Sequence, residues 1–209
     1  MGGTMEALDK TAPNSAVAAS ERIPVVILFT ETRGFTRTSA MLQPSVVLAR
    51  VSEFFALVQA AVERQGGTVR NVLNDTLIAS FTGNSDAQHA LQAAQEIERD
   101  FAVFEESWER DYGIRTAIAI ALHSGDAVVG IAGDPMPGQP LFISDSVSIT
   151  ERLLHRARAG ELVLSKPVMD ALAAAGVALE AKDLPPLEIP RREPIPLFGM
   201  LRDTRLDFT

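Results

Sequence analysis

The stretch GGTVRNVLNDTLIASF, Gly66 to Phe81, decides how the chain is read. A double glycine stops the element before it, as glycine does at helix C-termini. Two short runs follow, Thr68 to Leu73 and Thr76 to Phe81, both rich in apolar and β-branched residues. Between them stands Asn74-Asp75, a pair that tolerates the positive φ of a tight turn. The stretch predicts a β-hairpin with a carboxylate at its tip. Taken alone, Asp75 is a turn residue; with partners, it is a candidate for chemistry.

Working outward, the residues before Gly66 predict a helix that opens at Gln43-Pro44-Ser45. Leu48, Val51, Phe55, Val58 and Val62 recur at spacings of three and four along it. Upstream, IPVVILF (Ile23 to Phe29) reads as a buried strand, followed by the loop ETRGFT, Glu31 to Thr36. After the hairpin, Ser85 is the expected cap of a long helix striped by Ala87, Leu91, Ala94, Ile97, Phe101 and Phe104. RTAIAIAL (Arg115 to Leu122) and AVVGIA (Ala127 to Ala132) predict a second hairpin turning at His123-Ser124-Gly125-Asp126. A loop with three prolines, Pro135 to Pro140, leads to a helix capped by Asp145 and running to about Arg158. A strand from Glu161 to Leu164 and a helix from Pro167 to Ala175 come next. In the proline-dense tail, PIPLFGM is expected as an edge strand, since proline cannot donate to a ladder. Helices interleaved with antiparallel pairs predict an α+β fold with a mixed sheet. Residues 1–21 read as a flexible lead-in, 22–201 as one domain and 202–209 as a tail.

The 209 residues carry a net charge of −8, 46% hydrophobic residues and no cysteine. That composition suits a single core, excludes disulfides and thiolate chemistry, and disfavours nucleic-acid or anionic-membrane binding. No signal peptide or membrane-spanning run is expected, so a cytoplasmic location and no direct membrane insertion follow.

Five blocks carry a family resemblance. VVILFTETRGFTRTS, VERQGGTVRNVLNDTLIASFTG, RTAIAIALHSGDAVVGIAG, FISDSVSITERLLHRARAGELVLS and EPIPLFGM resemble, in order, successive blocks of class III nucleotidyl (adenylate/guanylate) cyclase catalytic domains. The resemblance implies a ferredoxin-like core, a mixed or antiparallel sheet with helices on one face, and a head-to-tail homodimer. It also implies conversion of a nucleoside triphosphate to a 3′,5′-cyclic monophosphate and pyrophosphate, with Mg²⁺ or Mn²⁺ as cofactor.

By that resemblance, Glu31 and Asp75 take the metal-binding positions, with Glu31 in place of an aspartate. Arg33, Gly34, Phe35 and Thr36 match the triphosphate loop. Asn71 stands where a purine-selecting lysine is expected, and Leu141 where a second base-reading group is expected. Ser148 replaces the asparagine that orients the ribose, and Arg152 matches the transition-state arginine. The lysine for terminal phosphates falls near Ile189, with Arg191 or Arg192 as substitutes.

Each residue also has a plain structural reading. Glu31 and Arg33 can be surface charges, and Arg152 can be a solvated residue or an ion pair with Asp145 or Glu151. His123 reads as a structural hydrogen-bonding residue, and Phe54, Phe55, Phe101 and Phe104 as core or interface residues. Simultaneous change at Glu31, Asn71, Leu141 and Ser148 points to a degenerate, dimeric regulatory or nucleotide-sensing module with little or no cyclase activity. The alternatives are an active cyclase with non-standard base specificity, or the metal-supplying half of a heterodimeric cyclase that pairs with a heterologous cyclase-like or signalling partner.

Overall fold

The computed structural model describes residues 18–131 and 140–202. The elements in chain order are β1 (Ala18–Arg33), α1 (Phe35–Met41), α2 (Pro44–Arg64), β2 (Thr68–Leu73), β3 (Thr76–Phe81), α3 (Asp86–Tyr112) and β4 (Ala117–Ile131). Then come β5 (Pro140–Ile143), α4 (Asp145–Leu154), β6 (Glu161–Ser165), α5 (Lys166–Ala174), β7 (Lys182–Leu187) and β8 (Ile195–Leu201). The eight strands form one mixed sheet in the order β2-β3-β1-β4-β6-β8-β7, with β5 also paired to β4. Only β4 and β6 run parallel among these pairs.

The hairpin that opened the reading is present at its expected limits. Asn74 adopts φ 55° at the turn. Gly66, at φ 72°, ends α2, and a Cβ on Gly67 would come within 2.5 Å of the Phe81 ring. Glycine is therefore what lets the end of α2 lie against β3.

Alternation along β1 sorts the two faces of the sheet. Val26 and Leu28 join α2, α3 and α5 in one core containing Phe54, Ile97, Phe101 and Leu172. Val25, Ile27 and Phe29 face the other way and pack with Ile149, Leu153 and Leu154 of α4. Three helices thus share one face, while α4 stands alone on the opposite one. Burial of each large side chain on either face contributes roughly 1.5–3 kcal/mol.

Five local expectations are corrected. There is no turn at His123-Ser124-Gly125-Asp126, because β4 runs straight through and pairs with β1 from Arg33↔Ala117 to Ala18↔Ile131. Long-range pairing overrides the local turn signal. β1 accordingly begins at Ala18, inside the expected lead-in. The cap of α4 is Ser144, whose hydroxyl accepts from Ser146 N, rather than Asp145. Ser85 does sit at the start of α3, but its side chain makes no capping bond. The outer strand is β7, with Pro185-Pro186, while β8 lies between β6 and β7 and carries Pro196 near its start.

One more correction concerns α2. At 21 residues it is long and apolar enough, by length and composition alone, to cross a membrane. In the fold, its Phe54, Val58, Ala61 and Val62 are buried against α3 and the sheet. The loop beginning at Pro135 lies outside the described residues, as do 1–17 and 203–209.

Candidate functional site

The predicted residues fall into three neighbourhoods. The first lies where β1 ends beside the hairpin tip. Glu31 is in register with Thr76, which donates to its Oε2 at 3.4 Å. One residue on, Thr32 donates to Oδ2 of Asp75 at 2.8 Å. The tip acid therefore has a fixed hydroxyl partner. Burial pushes the Asp75 carboxyl up, while the hydroxyl of Thr32, backbone N–H groups and the charge of Arg33 pull it down.

Arg33 is the organising residue of this neighbourhood. Its Nη1 donates to Oε1 of Glu31 in an ion pair, and both side chains are about four-fifths buried (22% and 18% exposed). Its Nη2 donates to the carbonyls of Leu154 at 2.7 Å and Ala157 at 2.6 Å. A cation there caps the C-terminal carbonyls of α4 and complements its dipole. Burial lowers the guanidinium's proton affinity, and Asp75 restores part of it. The Arg33 side chain is thus engaged inside the protomer. Gly34 follows with φ 88°, a left-handed conformation natural to glycine, and starts α1. Phe35 and Thr36 form its first turn, and Gly34 O accepts from both the amide and the hydroxyl of Thr38.

Mg²⁺ or Mn²⁺ would have to be held by Glu31 and Asp75. Hard cations take oxygen ligands, and Mg²⁺ demands near-octahedral geometry at about 2.0–2.1 Å. Glu31 already accepts from Arg33, and Asp75 accepts from Thr32. Among the described residues, no group of three or more His, Asp or Glu side chains stands together to hold an ion. With Arg33 already paired to Glu31, the two acids do not suit a divalent cation while that ion pair stands.

The second neighbourhood is the outer surface of α4. Ser148 and Arg152 are both exposed and stand one helical turn apart. Arg152 makes no ion pair or side-chain hydrogen bond among the described residues. Asp145, its expected partner, is held instead by Arg192 at 2.6 Å, which keeps the Asp145 carboxyl below the usual range. Arg192, the expected phosphate substitute, thus forms an exposed ion pair with Asp145, and Ile189 packs against the core under α4.

The third neighbourhood is a cavity of about 660 Å³ lined by Ile27, Val69, Arg70, Asn71, Ile78, Val129, Gly130, Phe142 and Val147. Asn71 is exposed, and its Oδ1 accepts from the following amide of Val72 at 2.9 Å. Leu141 stands in β5 opposite Gly130. Sequence reasoning missed the next-door residue, Arg70. The register of β2 on β3 skips from Val69 to Asn71, so Arg70 is a bulge residue. Bulges re-aim side chains. Here the guanidinium lies 4.6 Å from the centroid of the Phe142 ring, and Nε donates to Ser80 Oγ at 2.6 Å. Neither the bulge nor the stacking had a signal in the sequence. Thr32 was findable, because extending the register by one pair from Glu31↔Thr76 places it opposite Asp75.

His123 is not in a turn. It is buried in β4, and its Nδ1 lies 2.9 Å from Ser165 Oγ. Desolvation pulls the ring down to about 4, so it is neutral near pH 7. Its role is structural, as expected.

Comparisons with known proteins bear on the fold and the family. The family model described as the adenylate and guanylate cyclase catalytic domain matches residues 17–195. The chain is 26% identical over 145 residues to an adenylate cyclase of Anabaena cylindrica, covering 67% of this chain and 28% of that protein. It is 31% identical over 142 residues to adenylate cyclase 1 of Rhizobium meliloti (strain 1021), covering 65% of this chain and 21% of that protein. It thus spans about a quarter of the length of these curated relatives. The adenylyl cyclase CyaB from P. aeruginosa superposes with a TM-score of 0.78 at 17% identity, over 90% of this chain and 98% of that one. The chain belongs to the adenylate and guanylate cyclase catalytic-domain family.

Proposed function

We propose that this chain is a cyclase-homology module that pairs with a second copy and senses a nucleoside triphosphate, with little or no cyclisation. The observation that carries the reading is the contrast on and beside α4. Arg152 is exposed and unpaired among the described residues, ready for phosphate oxygens. The groups needed to read a purine and orient a ribose are missing. Asn71 has its amide oxygen committed to its own backbone, the surrounding cavity is mostly apolar, and Ser148 is too short to replace an asparagine amide. Such a surface holds charge well and selects a base poorly. Phosphoryl transfer depends on positioning, and a misplacement of about 1 Å costs on the order of 100-fold.

Arg70 favours a second reading. Its guanidinium stands one residue before the expected lysine and against the cavity wall, so it can serve a base that presents acceptors. This is the working cyclase with non-standard specificity.

One assay separates the two. Purified protein is incubated with ATP, GTP, CTP and UTP, each with Mg²⁺ and with Mn²⁺, and products are read by mass spectrometry. The module reading expects no 3′,5′-cyclic product from folded, dimeric protein. Cyclic product from any one base overturns it, and Arg70→Ala should then change which base is used.

A further inference from the structure

The residues at the end of β1 carry a second conclusion, about what fills the place of a metal ion. We propose that Arg33 is a resident cation, ion-paired to Glu31, so that the apo protein excludes a divalent ion from the Glu31–Asp75 pair. The proposal rests on reading Glu31 and Asp75 as the positions of a metal pair.

Three observations support it. First, the guanidinium is held from two sides, with Glu31 on one and the carbonyls of Leu154 and Ala157 on the other. A side chain fixed by three acceptors and about four-fifths buried does not swing aside freely. Second, Asp75 sits across the hairpin from the same stretch of β1, held by Thr32, the residue before Arg33, and the positive charge of Arg33 is felt there. Third, Asp75 and Glu31 each have a hydroxyl donor, from Thr32 and Thr76, leaving fewer lone pairs for an ion. A divalent cation entering here meets a fixed like charge at short range in a poorly solvated setting, where repulsion is strong.

A consequence follows for α4. The same guanidinium caps the end of the helix that carries Ser148 and Arg152. Binding an ion at Glu31 requires Arg33 to leave, which uncaps α4, and by reciprocity whatever fixes the end of α4 strengthens the exclusion.

The test uses Mn²⁺ alone, without nucleotide, titrated into the full chain and read by electron paramagnetic resonance of the free ion. Wild type and Glu31→Gln should bind Mn²⁺ equally weakly. Arg33→Met should bind at least tenfold more tightly than wild type, and Arg33→Met/Glu31→Gln should lose the gain. Arg37→Met, which removes an exposed charge nearby, should gain nothing. Glu31-dependent Mn²⁺ binding in wild type overturns the proposal, as does a folded Arg33→Met protein with no gain. Should Arg33→Met fail to fold, the comparison of wild type with Glu31→Gln decides alone. Turnover of nucleotide would defeat the module reading without moving these ion titrations, so the two failures are distinguishable.

Discussion

Arg33 and Arg152 both stand at positions that the cyclase resemblance links to phosphate, and the fold treats their side chains in opposite ways. Arg33 is inside, shared among one carboxylate and two carbonyls. Arg152 is outside, on an exposed helical face, with no ion pair among the described residues. The difference teaches that a charge is available for a ligand only if the protomer has not already used it. Arg33 is part of the architecture that holds α4, whereas Arg152 is presented by it.

The largest expected effect comes from their common support. Leu153 is fully buried beneath α4, between exposed Arg152 and the carbonyl of Leu154 that Arg33 holds. Leu153→Ala should cost about 2–5 kcal/mol in chemical denaturation and weaken both arginines' positions together. Stability that is unchanged would mean that α4 is not anchored through this core.

Acid should loosen the opposite end of α4. His123 lines the cavity that Asp145 and Ser146 also border. Its folded value of about 4 lies below the ordinary 6.5. An unfolded chain then takes up this proton first, so stability falls as pH drops from about 6.5 to about 4, and no further below. The full effect is on the order of 3 kcal/mol. Denaturation curves at pH 7 and pH 4.5 should show a smaller difference for His123→Gln than for wild type.

Arg33→Gln should cost about 2 kcal/mol, because it leaves Glu31 and two carbonyls without their cation. Arg152→Ala should stay within about 0.5 kcal/mol of wild type. Equal costs for the two would erase the distinction between them. Between these two lies Arg70→Ala, expected to lose about 0.5–1 kcal/mol of cation–π and hydrogen-bond stabilisation, measurable by thermal unfolding.

The sequence was most legible where local and long-range signals agree. The hairpin around Asn74-Asp75, the two long helices and the core aromatics Phe54, Phe101 and Phe104 stand where periodicity and turn chemistry put them. It was least legible where pairing with a distant strand decided the outcome. His123-Ser124-Gly125-Asp126 carries strong turn chemistry, yet the long ladder with β1 keeps it extended. The site was readable as residue types, not as partners. Nothing local in Glu31-Thr32-Arg33-Gly34 says that Arg33 reaches carbonyls more than 120 positions away, and nothing in Val69-Arg70-Asn71 reveals a bulge.

The central claim is that this protein meets phosphate through Arg152 while its own Arg33 takes the cation's place. Isothermal titration with a non-reacting α,β-methylene nucleoside triphosphate tests it most directly, for wild type and Arg152→Ala, in Mg²⁺ and in EDTA. The account predicts weak binding that is similar with and without Mg²⁺ and falls at least tenfold in Arg152→Ala. Binding that requires Mg²⁺ and is indifferent to Arg152 would contradict it.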